Sequence, residues 1–150
     1  MVEMIYLLDT DIVIALSRGS KAGARPRGVV VRARRLREHC RSVCEAGHAL
    51  GISAITVAEL EYGARCGDRY VEEMASVRKI LRPFKAFPWD AGDCPWHYAK
   101  IRSELENAGQ TIGNMDLLIA AHALSLHATL VTNNRTHFER VARLRITSWP

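Results

Sequence analysis

Three carboxylates and an amide, Asp9, Glu59, Asp116 and Asn134, sit where side chains can do chemistry. Asp9 follows the apolar run Met4-Ile-Tyr-Leu-Leu8, and Glu59 lies early in a helix that follows a second apolar run. Asp116 falls in the first turn of a third segment's helix, and Asn134 ends the run Ala128-Thr-Leu-Val-Thr132. If the strands before Asp9 and Asn134 lie side by side, all four groups reach one edge of a sheet. Carboxylates crowded in this way repel strongly unless a cation neutralises them. Hard oxygen ligands suit Mg²⁺ or Mn²⁺, which keep several waters and accept phosphate oxygens. Such an ion can orient and deprotonate water and shield an in-line attack on phosphorus.

Each residue also has a plainer role open to it. Asp116 follows Gly113 and Asn114, which suit the turn and cap that begin a helix, and its charge could simply complement the positive end of the helix dipole. Thr56-x-x-Glu59 has capping-box spacing, although Ser53, directly after a strand, is the better cap and leaves Glu59 free. Glu61 lies about 200° round the helix from Glu59, so at most one of the two faces a given site. Thr10 or Asp11 is expected to cap the helix after the first strand, which leaves Asp9 without that explanation. His97, His122 and His137 are taken as structural or surface residues, since an apolar helix more often holds a satisfied core histidine than a catalytic one.

The elements that must position these groups alternate along the chain. Strands are expected at Met4–Leu8, Ala49–Ile52, Phe84–Trp89, Ala128–Thr132 and Leu144–Trp149, the third weakened by Pro88. Between them fall helices at Ile12–Leu16, Val29–Ala46, Ala54–Arg65, Gly67–Leu81 and Thr136–Val141. A further long helix starts at Asp90 or Asp93, shows Tyr98, Ile101, Leu105 and Ala108 on its apolar side, and ends at Gly109. The segment Leu117–Leu126 is apolar on all sides, so its helix must be buried. Ser17–Pro26 is expected to be a loop. This alternation implies an α/β fold with a parallel sheet of four to five strands and helices on both faces. In such sheets ligands bind beyond the carboxyl ends of the strands, which is where Asp9 falls.

The 150 residues suffice for one domain spanning 1–150, large enough to bury a core unaided. No apolar run approaches the roughly 20 residues of a membrane span, and Met1-Val-Glu-Met-Ile5 lacks the pattern of a secretory signal. Cys40, Cys44, Cys66 and Cys94 show no repeating pattern, and Cys94 with His97 is only half of a metal motif. Reduced cysteines in a cytoplasmic protein are the expectation. The net charge of +5 favours an anionic partner such as nucleic acid. Most of that charge falls between Ser17 and Gly47, in arginines from Arg18 to Arg41. Such a run can be a solvated face, or can bind RNA phosphates or an acidic partner.

Four segments carry a resemblance to a known family. Leu7-Leu-Asp-Thr-Asp-Ile12, Ile52-Ser-Ala-Ile-Thr-Val-Ala-Glu-Leu-Glu-Tyr-Gly63, Ile112-Gly-Asn-Met-Asp-Leu-Leu-Ile-Ala-Ala-His122 and Leu130-Val-Thr-Asn-Asn-Arg-Thr-His-Phe138 resemble, in order and spacing, the PIN-domain ribonucleases. Within that family they are most similar to the VapC toxins of bacterial toxin–antitoxin pairs. The resemblance implies a PIN-like α/β/α sandwich and RNA cleavage dependent on Mg²⁺ or Mn²⁺. It also implies a VapB-type antitoxin as inhibitor, a homodimer, and contact with operator DNA only through that antitoxin. On the family's pattern Asp9, Glu59 and Asp116 hold the metal, Thr10 and Thr132 are the hydroxyls beside them, and Asn134 stands where the family often has Asp. The basic segment around 17–47 looks like an insertion.

Two other readings compete. Asp9-Thr10-Asp11 after an apolar strand also fits the opening of haloacid-dehalogenase-like phosphatases, but that chemistry needs a later acidic pair and a lysine, and Thr132-Asn-Asn134 offers neither. A PIN-like module that binds RNA or a partner without cutting is favoured by Asn134 and opposed by the intact Asp9, Glu59 and Asp116.

Overall fold

A computed structural model of the protein describes residues 2–20 and 26–150. Strand β1 (Ile5–Leu8) leads into helix α1 (Thr10–Ser20), then α2 (Arg27–Glu45), β2 (Ala49–Ser53), α3 (Ala54–Arg65) and α4 (Tyr70–Leu81). Strand β3 (Lys85–Phe87) precedes α5 (Cys94–Asn107) and α6 (Asn114–Ser125), and β4 (Thr129–Val131), α7 (Arg135–Phe138) and β5 (Arg145–Thr147) complete the order. The five strands form one sheet in the order β3-β2-β1-β4-β5, and every pairing is parallel.

The apolar runs become central strands because both of their faces are covered. Side chains alternate across a strand, and in β1 Leu8 joins one hydrophobic cluster while Leu7 joins the other. Strand β4 divides in the same way, Val131 to the first cluster and Leu130 to the second. The first cluster takes Ile12, Leu16, Leu36 and Leu60 from α1, α2 and α3, and the second takes Ile101, Ile119 and Phe138 from α5, α6 and α7. The result is a sheet between two helical layers, as expected. Gly51 on β2 is required by its neighbour, since a Cβ there would lie 2.5 Å from the Phe87 ring.

Several boundaries differ from expectation. Helix α1 continues through Ser17 to Ser20, where propensity suggested a loop. Ser17 Oγ bonds back to the Ile14 carbonyl at 2.9 Å. Gly19 packs so closely on α2 that a Cβ there would fall 2.0 Å from Ala33 Cβ. Residues 21–25 of the expected loop lie outside the described residues. Helix α4 begins at Tyr70 rather than Gly67, and the helix expected at Thr136–Val141 is the shorter α7. Asp93 holds the cap position of α5 without a side-chain bond, while Asp90 accepts from the Gly92 amide at 3.1 Å. Helix α6 is buried nearly all round, including Leu117, Ile119, Ala120, Ala121 and His122. Among the described residues no helix is long and apolar enough to cross a membrane.

Candidate active site

Placing β1 beside β4 brings the two strand ends together. The Asp9 amide donates to the Val131 carbonyl at 2.9 Å, extending the ladder by one residue. The Asp9 carbonyl then accepts from the Ile12 and Val13 amides at 3.1 and 3.3 Å, so Asp9 itself stands at the cap of α1. This corrects the expectation that Thr10 or Asp11 would do so: the helix starts immediately at the strand end, and both residues fall inside its first turn. Asp9 Oδ1 accepts from the Thr10 amide at 2.8 Å, and Oδ2 accepts from Thr132 Oγ1 at 2.9 Å.

From Asp9 a line of polar groups runs both ways across the edge. On one side Thr10 Oγ1 donates to Glu59 Oε1 at 2.7 Å and lies 3.1 Å from Thr56 Oγ1. Ser53 caps α3 by accepting from the Ile55 amide at 3.0 Å, which releases Glu59 from the capping-box role. Glu61 points elsewhere and accepts from Tyr70 at 2.6 Å. On the other side Thr132 Oγ1 accepts from the Asn134 amide at 2.9 Å. Asn134 stands at the cap of α7 but does not use its side chain there. Its Nδ2 lies 3.5 Å from Asp116 Oδ2 and 2.9 Å from His137 Nδ1. Asp116 itself sits in the first turn of α6, whose cap position is held by Gly113 rather than Asn114.

The structure therefore gathers Asp9, Thr10, Glu59, Asp116, Thr132 and Asn134 at one edge. It adds residues that sequence reasoning passed over. His137, taken as structural or surface, has Nδ1 3.5 Å from Asp116 Oδ2. Its spacing from Asn134, three residues along a helix, was the available signal. Asp11 lies beside Asp9 with Oδ1 buried and without a hydrogen-bond partner. His122 is indeed a core residue: its Nδ1 is 2.6 Å from Ser53 Oγ, and burial holds its pKa down. His97 packs edge-on against Trp96, and Cys94 is buried with Sγ 3.3 Å from Ser125 Oγ. All four cysteines are free.

The electrostatics of the edge are unbalanced. Asp9 is only 6% exposed, and its pKa is pushed up to about 7, first by burial and then by the neighbouring charges of Asp11 and Asp116. The bonds from Thr132 and the Thr10 amide oppose this but do not cancel it. A cation bound there would remove the repulsion, and the donor set, carboxylate oxygens with an orphaned one on Asp11, is that of a hard divalent ion. No three His, Cys, Asp or Glu side chains among the described residues close round a single point. The residues present thus fit an ion that is held by one or two carboxylates and completes its shell with water and phosphate oxygens, as Mg²⁺ does.

A cavity of about 540 Å³ lies at the other edge, where Leu50 and Phe84 mark the entering ends of β2 and β3 and Cys44 the end of α2. Its walls are mainly apolar, with Arg37, Arg41 and Lys79 among them and no carboxylate, so it is not the reaction centre.

Comparison with known proteins agrees with this geometry. The PIN domain matches residues 6–144. Ribonuclease VapC2 of Rickettsia felis is 33% identical over 147 residues, covering 97% of this chain and 98% of that protein. The tRNA(fMet)-specific endonuclease VapC of Shigella flexneri is 31% identical over 144 residues, 96% of this chain and 97% of that one. The crystal structure of VapBC2 from Rickettsia felis bound to a DNA fragment from their promoter superposes with a TM-score of 0.84 at 30% identity, over 98% of this chain and 100% of that chain. The chain belongs to the PIN-domain family and, within it, to the VapC ribonucleases.

Proposed function

We propose that this VapC-type toxin is an endoribonuclease that hydrolyses RNA phosphodiester bonds with the help of Mg²⁺, or Mn²⁺ in its place. The observation that carries the reading is the hydrogen-bonded line from Glu59 through Thr10, Asp9 and Thr132 to Asn134, with Asp116 at its end. Asp9, Glu59 and Asp116 are the acidic residues that would hold the ion, one or two of them directly and the rest through its waters. When bound, it supplies a water of lowered pKa and a positive charge against the phosphate. Thr10 and Thr132 fix the carboxylates in place, because each donates a hydrogen bond to a carboxylate oxygen, Thr10 to Glu59 and Thr132 to Asp9. Asn134 contributes dipole without charge, so a second ion would bind more weakly here than where an aspartate stands.

His137 has a part as well. Its Nδ1 lies 2.9 Å from Asn134 Nδ2; an amide nitrogen can only donate, so a ring that accepts there carries its N–H on Nε2. With a side chain 44% exposed, His137 can offer that N–H to a phosphate oxygen of the substrate. Solved VapBC relatives, two of them bound to DNA, support a VapB-type antitoxin as partner; a homodimer of this chain, reaching operator DNA only through the antitoxin, completes the proposed assembly.

The test is cleavage of purified RNA by antitoxin-free protein with Mg²⁺, with Mn²⁺ and with chelator, beside Asp116→Asn. Discrete metal-dependent fragments absent from the variant are expected. Binding of RNA without cleavage under any condition would replace the enzyme by a binding module, and a phosphate trapped on Asp9 would replace it by a phosphatase.

A further inference from the structure

We propose that the outward face of α2 is a second contact surface for the RNA, holding its phosphate backbone while the bond is cut at the carboxylate edge; this deepens the nuclease reading and rests on it. Helix α2 carries six arginines against Glu38 and Glu45, a net +4 in 19 residues, in a chain whose whole net charge is +5. Arg27, Arg34 and Arg41 recur every seventh residue, about 10 Å apart along the axis and on nearly one line. All three are exposed, and Arg35 is exposed beside them. The opposite side of the helix, Ala33, Leu36, Cys40 and Val43, is buried, and Ala33 is in close contact with Gly19 of α1. The stripe therefore stands on a fixed support.

A solvated helix face in this same protein looks different. Helix α5 pairs its charges four residues apart, Lys100 with Glu104 at 3.0 Å and Arg102 with Glu106 at 2.8 Å. On α2, Arg34, Arg35 and Arg41 form no ion pair among the described residues, although Glu38 lies within one turn of all three, whereas Arg37 is engaged by another group. Unpaired guanidinium groups keep their donors for planar, bidentate acceptors such as phosphate. Around Arg34 and Arg35 the face carries no apolar anchor: among the described residues the large exposed hydrophobics are Val2, Tyr62, Val71, Trp96 and Met115, none of them on α2, and the mainly apolar cavity meets α2 only along Arg37, Cys40, Arg41 and Cys44. A protein partner binds through a desolvated apolar or aromatic centre. A polyanion needs only the charges, released counterions supplying the free energy.

The test is binding of fluorescent bulk tRNA, measured by anisotropy across a salt series in chelator and in an Asp116→Asn background so that nothing is cut. Substituting Arg34, Arg35 and Arg41 together by alanine should weaken binding about tenfold or more. It should also lower the slope of log K against log salt by about two, since each lost phosphate contact removes roughly 0.7–0.9. Alanine is the best helix former, and unchanged circular dichroism would confirm that α2 persists. The same positions as lysine should keep most of the slope. With Asp116 restored, the alanine variant should cleave tRNA with raised KM and unchanged kcat. Unchanged affinity and slope would overturn the proposal, as would full RNA affinity together with loss of the co-purified antitoxin. Arginine-dependent tRNA binding by a protein that cuts no RNA would sink the nuclease reading alone; cleavage by the wild type with no arginine dependence would sink only this surface.

Discussion

The carboxylate edge and the outer face of α2 differ in sign, but more instructively in how their charge is held. Asp9 is buried, and each of its oxygens accepts a hydrogen bond from an adjoining element. On α2, Arg27, Arg34, Arg35, Arg37 and Arg41 are exposed, and Arg34, Arg35 and Arg41 have no ion pair among the described residues. Burying charge costs free energy that only an opposite charge or a proton relieves, so the edge is poised to take up a cation. Exposed charge costs little to hold and acts at a distance that salt shortens. One region is built for chemistry at a point, the other for attraction along a length.

The comparison breaks most sharply at Asp116. Asp116→Asn keeps size and helix position but removes a charge from the edge, and should lower kcat by about 10³-fold, several kcal/mol of lost transition-state stabilisation. A variant that still cleaves RNA at the wild-type rate, with its circular dichroism intact, would remove Asp116 from the machinery. Asp9 tests the cost of burial. Its pKa of about 7 lies above the ordinary 3.8, so between these values the native protein holds a proton that the unfolded chain has released. Stability of the metal-free protein therefore falls as pH rises through that window and levels above it. Asp9→Asn should be inactive yet more stable than the wild type at pH 8, by about 1 to 3 kcal/mol, and equal to it near pH 4. Equal denaturation midpoints at both pH values would mean that Asp9 carries no such burden.

Metal should act in the same direction. At pH 8, Mg²⁺ or Mn²⁺ at a hundred times its Kd should stabilise the wild type by about 2.7 kcal/mol, and less at pH 5, where protons compete for Asp9. Thermal melts with and without chelator decide this; no shift with either ion would argue against a site at this edge. His137 gives the smallest effect at the edge and the finest distinction. Glutamine keeps a donor near the place of Nε2, and asparagine keeps a polar group near Nδ1. If the ring contacts phosphate, His137→Gln should retain more activity than His137→Asn, each within about 10²-fold of wild type. The reverse order would make His137 a support for Asn134 only.

Much of the edge was legible before the structure. The strands declare themselves as short apolar runs, and Asp9 and Asn134 mark their abrupt ends. Glu59 was legible because Ser53 supplied a better cap, and Glu61 was excluded by helical angle alone. The cap of α1 was misplaced because nothing in Asp9-Thr10-Asp11 says which of three good caps the helix will start from. His137 was missed because its neighbours in space come from α6, about twenty residues earlier. The extension of α1 over Ser17–Ser20 was equally hidden, since Gly19 is a poor helix former that earns its place only against Ala33.

By itself, then, the amino-acid order determined the alternation of strands and helices, the apolar burial of α6 and the residue types that reach the carboxyl edge, because periodicity and local chemistry act within a few residues. Only the tertiary structure decided which polar groups touch, how deeply Asp9 is buried, that Asp11 keeps an unpartnered oxygen, and that Arg34, Arg35 and Arg41 of α2 face outward without an ion pair among the described residues. Those are properties of distances between elements far apart in the chain, and the burial that raises the pKa of Asp9 exists only once both helical layers have closed on the sheet.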